Sequence, residues 1–101
     1  MDDFRKQAFD RVNAERDRQT GKWGSQDGNH PFEWVSILGE EYGEFCEAVN
    51  ETYFSTIHVR PERGGLDKII EEATHVAAVA VAVVEAALKE KTGFIHTGFD
   101  H

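Results

Sequence analysis

From Leu66 to Thr92 no glycine or proline interrupts the chain, and the middle of that run, Val76 to Val84, contains only valine and alanine. Alternating valine and alanine suit a strand locally, but strands typically run about 5–6 residues. Length therefore predicts a helix, starting at Leu66 or Asp67 and ending near Lys91. Lys89 and Lys91 complement the negative end of the helix dipole, and Gly93 can take a left-handed cap. Arg60, Pro61, Gly64 and Gly65 break the chain just before it. The apolar stretch falls well short of the about 20 residues a membrane span needs, so no membrane partner is expected.

Two further helices are expected. In the segment from Asp3 to about Gln19, Phe4, Ala8 and Val12 recur four apart with Phe9 beside them, which predicts a helix with a narrow apolar stripe. Thr20 to His30 turns to loop residues, among them Gly21, Gly24, Ser25, Asp27 and Gly28. Pro31 suits the first turn of a second helix, with Asn29 or His30 as its cap, running to about Tyr53. The tail from Phe94 to His101 has no clear period and either docks on a neighbour or is loose. No internal repeat, low-complexity tract or second domain is visible. Residues 1–101 thus read as one all-α domain, a bundle of three main helices.

With 101 residues and 40% hydrophobic content, the chain can build one core but buries a smaller share of its surface than a longer one. Partner subunits are the corresponding expectation. A net charge of -8 argues against a nucleic-acid partner, since phosphate backbones are held mainly by lysine and arginine. A polyanionic substrate stays possible if metal ions bring the positive charge. Cys46 is the single cysteine, which excludes an internal disulfide and fits a small apolar position in a helix. The acidic start at Asp2 and Asp3 lacks the pattern of a secretory signal, so a cytoplasmic location is expected.

On the second helix Trp34, Val35, Leu38, Tyr42, Phe45 and Val49 fall on one broad arc. Glu41 projects between Ile37 and Trp34, inside the edge of that arc, and Glu44 follows one turn along. Glu40, Glu47 and Glu51 lie further round towards water. A carboxylate pointing into a core is costly unless something positive meets it, and a bound cation would serve two such groups. The alternative is a solvated acidic face. On the third helix Ile69, Val76, Val79, Val83 and Ala87 share one side, and Glu72 projects among them with His75 one turn on. Beyond His75 this helix is apolar nearly all round, as befits the centre of a bundle or an oligomer interface. Acidic steps from two helices are how bundles hold metals, and oxygen ligands favour Mg2+ or Mn2+ over zinc.

The run Gly39-Glu40-Glu41-Tyr42-Gly43-Glu44-Phe45 resembles the Glu-Glu-x-x-Glu motif of the MazG-like, all-alpha nucleoside triphosphate pyrophosphohydrolases. Glu71-Glu72-Ala73-Thr74-His75-Val76 is similar to their second motif, Glu-x-x-Asp. The resemblance covers about residues 9 to 90, including Glu15 to Gln19 and Lys22-Trp23-Gly24. It implies a metal-dependent enzyme that cleaves a nucleoside or deoxynucleoside triphosphate to the monophosphate and pyrophosphate. By the same resemblance Glu41, Glu44 and Glu72 would be metal ligands, and Glu40 would orient or deprotonate the attacking water. A homodimer or homotetramer is implied as well. His75 departs from the pattern, standing where the family has Asp. It can act as a ligand, as a contact behind the ligands or to phosphate, or as a packing residue. The departure keeps a second reading open, a catalytically silent helical module that binds nucleotide or a protein partner.

Trp23 can stack on a nucleobase or pack over a helix end. Arg18 and Lys22, with Arg16, can reach phosphates or serve as surface ion-pair partners. His58, His96 and His101 have no metal spacing. Ser36, Ser55 and Cys46 lack a recognisable base, and Gly64-Gly65 is not followed by the Lys and Ser or Thr of a phosphate loop.

Overall fold

The computed structural model describes residues 3–24, 28–54 and 64–93, with the side chain of Trp23 excepted. They form three helices and no strand: α1, Phe4–Trp23; α2, Pro31–Tyr53; and α3, Leu66–Lys91. No described helix is long and apolar enough to cross a membrane. The tail from Phe94 to His101 lies outside the described residues.

Local signals govern the helix ends. Asp3 caps α1, its side chain accepting from the Lys6 N–H at 2.9 Å. α1 runs on past Gln19 through Thr20, Gly21 and Lys22, where a loop was expected. A single glycine costs a helix only about 1 kcal/mol, so the break comes at Gly24 instead, whose φ of 71° an L side chain rarely adopts. His30 caps α2 by accepting from the Phe32 N–H, while Glu33 reaches back to the His30 N–H at 3.0 Å, a reciprocal capping box ahead of Pro31. Gly93, with φ of 79°, follows the last turn of α3 as expected.

α3 is the central element, packed against α2 on one side and α1 on another. α2 and α3 run antiparallel. The Gly65 N–H donates to Thr52 Oγ1 at 2.6 Å, and a Cβ on Gly64 would meet the Glu51 backbone at 3.1 Å. The start of α3 is thereby held against the last turn of α2. At the opposite end Trp34 clusters with Val79, Ala82 and Ala86, flanked by Ile37, Leu38 and Val83. Alanines at successive turns of α3 let the large indole lie close to its backbone.

The core this makes is small. Among the described residues, every buried apolar residue apart from Trp34 and Val79 is an alanine. The apolar arcs expected from periodicity on α2 and α1 are only partly covered. Val35 and Tyr42 share the arc of Trp34 but stay exposed, because α3 covers only the part of that arc centred on Trp34, Ile37 and Leu38. On α1, Phe4 and Phe9 are also exposed; α1 meets α3 through Val12, Glu15, Arg16 and Gln19, which are half-buried or buried. Arg16 crosses to Glu85 of α3 with two guanidinium hydrogen bonds. The first helix is therefore fastened largely by polar contacts.

Candidate metal centre

The antiparallel register brings the middle of α2 alongside the first turns of α3. Glu41 and Glu44 on α2 and Glu72 and His75 on α3 each offer a ligand atom, and all four atoms lie within 4.8 Å of one another. These are the residues that form the acidic steps of both helices in the sequence. Glu72 is 4% exposed, Glu41 and His75 are half-buried, and Glu44 is exposed at the mouth.

His75 stands among three acids. Its Nδ1 lies 3.5 Å from Glu72 Oε2 and 3.6 Å from Glu41 Oε2, and its Nε2 lies 3.7 Å from Glu15 Oε2. These are ion-pair distances, longer than hydrogen bonds. Accordingly Glu41 Oε2 and Glu72 Oε2 are both buried without a hydrogen-bond partner. The other oxygen of Glu72 is held: Lys68 Nζ sits 3.2 Å from Oε1, and 3.4 Å from Glu71 Oε2. This pairing raises the Lys68 ammonium pKa.

The electrostatics follow from crowding acids in a partly dry place. Burial pushes the Glu41 carboxyl up; the His75 charge opposes this, while Glu72, Glu40 and Glu15 add to it. Glu44, although exposed, is raised as well, by the partial desolvation it does undergo and then by Glu41 and Glu72. Glu15 moves the other way, held below the usual carboxylate range chiefly by its hydrogen bond from Arg18. Arg18 grips it in a fork, Nε to Oε1 at 2.8 Å and Nη2 to Oε2 at 2.6 Å, and Gln19 adds a contact at 3.2 Å.

The donor set fits a hard divalent cation. Two orphaned carboxylate oxygens are what an ion would satisfy, and a Mg2+ shell is about 4.2 Å across, twice its usual oxygen distance. Small inward shifts of the side chains would close the shell. Burial first and mutual repulsion second make Glu41 and Glu44 hold protons more readily than free carboxyls.

Glu40 is exposed on α2, outside the converging group, and acts on it through its charge beside Glu41. Arg18 faces the site's edge through Glu15. Lys22 is exposed in the last turn of α1. Trp23 ends α1, and its side chain lies outside the described residues. Two residues were missed as site members. Glu15 is one turn before Arg18, an ordinary helical ion pair in sequence, and only the packing of α1 on α3 carries it to His75. Lys68 does have a signal, since Lys68 and Glu72 are four apart on one face. No protein-family model, characterised protein or solved structure matches the chain.

Proposed function

We propose that this protein is a metal-dependent nucleoside triphosphate pyrophosphohydrolase, releasing a nucleoside monophosphate and pyrophosphate with Mg2+ or Mn2+. The observation that carries the reading is Glu72 Oε2, an orphaned oxygen on a side chain 4% exposed, turned towards His75 in the cluster it forms with Glu41 and Glu44. A buried carboxylate oxygen left without a hydrogen bond is costly, and a cation shared with Glu41 and Glu44 offsets that cost. In this reading Glu41, Glu44 and Glu72 hold the ion with His75 as a further donor, and the ion neutralises phosphate charge and makes bound water acidic. Lys68 fixes Glu72, and Arg18 fixes Glu15 beside the imidazole. Glu40 is the candidate to orient or deprotonate the attacking water, with Lys22 and Trp23 as candidate substrate contacts.

A second reading, a silent nucleotide-binding module, is favoured by His75. Its imidazole lies within ion-pair distance of Glu15, Glu41 and Glu72, so in its protonated form it would balance the cluster without a cation. The test is pyrophosphate release from a panel of nucleoside triphosphates with Mg2+ or Mn2+, repeated with Glu41→Gln and Glu72→Gln. Release by the parent protein and loss of at least about 100-fold in both variants is the expected result, since even outer-shell changes cost 10–100-fold. Nucleotide binding without release under either metal would leave the silent module.

The same reading includes a second copy of the chain. Val81, Val84 and Leu88 form an exposed stripe on α3, at spacings of three and four, beside a core whose buried members are mostly alanine. The described residues bury little apolar volume, and pairing this stripe with that of a second copy would add to it.

A further inference from the structure

Beside the carboxylate cluster, between α1 and the first turns of α3, opens a cleft of about 430 Å³. The geometry points to this cleft as the seat of the nucleoside, and to a preference for bases that carry an exocyclic amine. The inference rests on the pyrophosphohydrolase reading and adds to it the part of the substrate that is recognised.

His75 and Glu15 belong to the cleft wall, and His75 also belongs to the group of four converging donors. The imidazole is thus a partition: Nδ1 faces Glu41 and Glu72, and Nε2 faces Glu15. A phosphate chain seated on the cluster has its remaining substituent one ring away from the cleft.

The chemistry of the walls then selects which part of the ligand enters. Along α1 the cleft presents Arg11, Ala14 and Arg18 at spacings of three and four, so they share one face. Arg18 is committed to Glu15, whereas Arg11 has no ion-pair partner among the described residues. Along α3 it presents Asp67, with Ile70 and Glu71 three and four residues further on. Two carboxylates opposite two guanidinium groups make a poor seat for a polyphosphate, which Asp67 and Glu71 repel. They suit a flat, uncharged group. Ala14 and Ile70 offer apolar contact to its face, and the planar Arg11 guanidinium can stack on it. Ionised carboxylates only accept hydrogen bonds, so Asp67, and the Glu71 oxygen that Lys68 does not occupy, favour ligands that donate. Adenine and cytosine carry donor amines, where uracil presents a carbonyl acceptor at the corresponding edge. Ribose hydroxyls add further donors, and the volume is within the range of small-molecule sites, about 300–1,000 Å³.

The test is binding by calorimetry with Mn2+ present, comparing ATP, CTP, UTP and inorganic tripolyphosphate. It is repeated with Ile70→Trp and Ala14→Phe, which fill the cleft from opposite walls at exposed helix positions. Mn2+ alone is titrated into each protein first. The expected result is that ATP and CTP bind about tenfold more tightly than UTP or tripolyphosphate. Either variant removes that advantage while Mn2+ affinity stays within about twofold and tripolyphosphate binding persists. Equal binding of all four ligands, or an advantage that survives both variants, overturns the cleft assignment and leaves the cation site standing. Failure of the parent protein to take up Mn2+ sinks the pyrophosphohydrolase reading and this inference with it.

Discussion

Lys68 Nζ lies 3.2 Å from Glu72 Oε1, one helical turn along α3, and leaves Glu72 Oε2 as the oxygen turned towards His75. A buried acid is in this way paired on one side and orphaned on the other. Removing the lysine would leave Glu72 without its counter-charge. Lys68→Met should therefore destabilise the metal-free protein by about 1 kcal/mol, discounted because Lys68 is partly exposed. In a domain this small that is about 4–8 °C in Tm. Mn2+ should raise the Tm of this variant by more than it raises the parent's; thermal melts with EDTA or Mn2+ check both statements.

His75→Asp gives the cluster another oxygen donor. Mg2+ prefers oxygen to imidazole, so Mg2+ affinity should rise by about tenfold, or 1.4 kcal/mol. The new carboxylate sits near Glu15, Glu41 and Glu72, so the metal-free variant should melt below the parent at neutral pH. Calorimetric Mg2+ titration and melts in EDTA decide the point. A variant with unchanged Mg2+ affinity would place residue 75 outside the ligand set.

Burial and neighbouring acids raise the Glu41 pKa in the folded state. The folded protein therefore binds this proton more tightly than the unfolded chain. The associated stability is present below the unfolded value of about 4.3 and is lost as pH rises through the folded value. Glu41→Gln removes that loss. In EDTA the variant should gain Tm relative to the parent as pH rises above the unfolded value of about 4.3. Mn2+ at neutral pH should reverse the order, since the variant has lost a ligand.

Arg16 joins α1 to Glu85 of α3 by two hydrogen bonds and lies 3.4 Å from Gln19 Oε1. Few apolar contacts support this helix, so Arg16→Ala should weaken its attachment by about 1 kcal/mol. Hydrogen exchange should quicken across α1 while α2 and α3 remain protected. Because Glu15 rides on α1, its contact with His75 should loosen as well.

Leu88→Glu puts a charge on the exposed stripe of α3. Self-association should weaken by at least about tenfold, visible as a shift towards monomer in sedimentation at fixed concentration. A parent protein that stays monomeric at every concentration would remove the second copy from the functional reading.

Much of this architecture is local and was legible for that reason. Pro31 with His30 ahead of it predicts the start of α2, and the unbroken run to Lys91 predicts α3, because capping and backbone freedom act over a few residues. Gly21 misled in α1, where helix propagation carried through it to Gly24. Tyr42 and Phe9 misled for another reason. Periodicity says which residues share a face but not how much of that face a neighbour covers, and α3 covers only part of each.

The sequence by itself determined three helices, the ends of α2 and α3, and two acidic steps, Glu41 with Glu44 and Glu72 with His75, each set on the edge of an apolar face. Only the tertiary structure decided that those steps meet at one level, that Glu15 arrives from α1, that Lys68 occupies one oxygen of Glu72, and that a cleft opens beside His75. Helix formation is governed by neighbours a turn away. Convergence depends on where helices cross, which here is set by the small residues of α3 beneath Trp34 and by the close passage of Gly64 against Glu51.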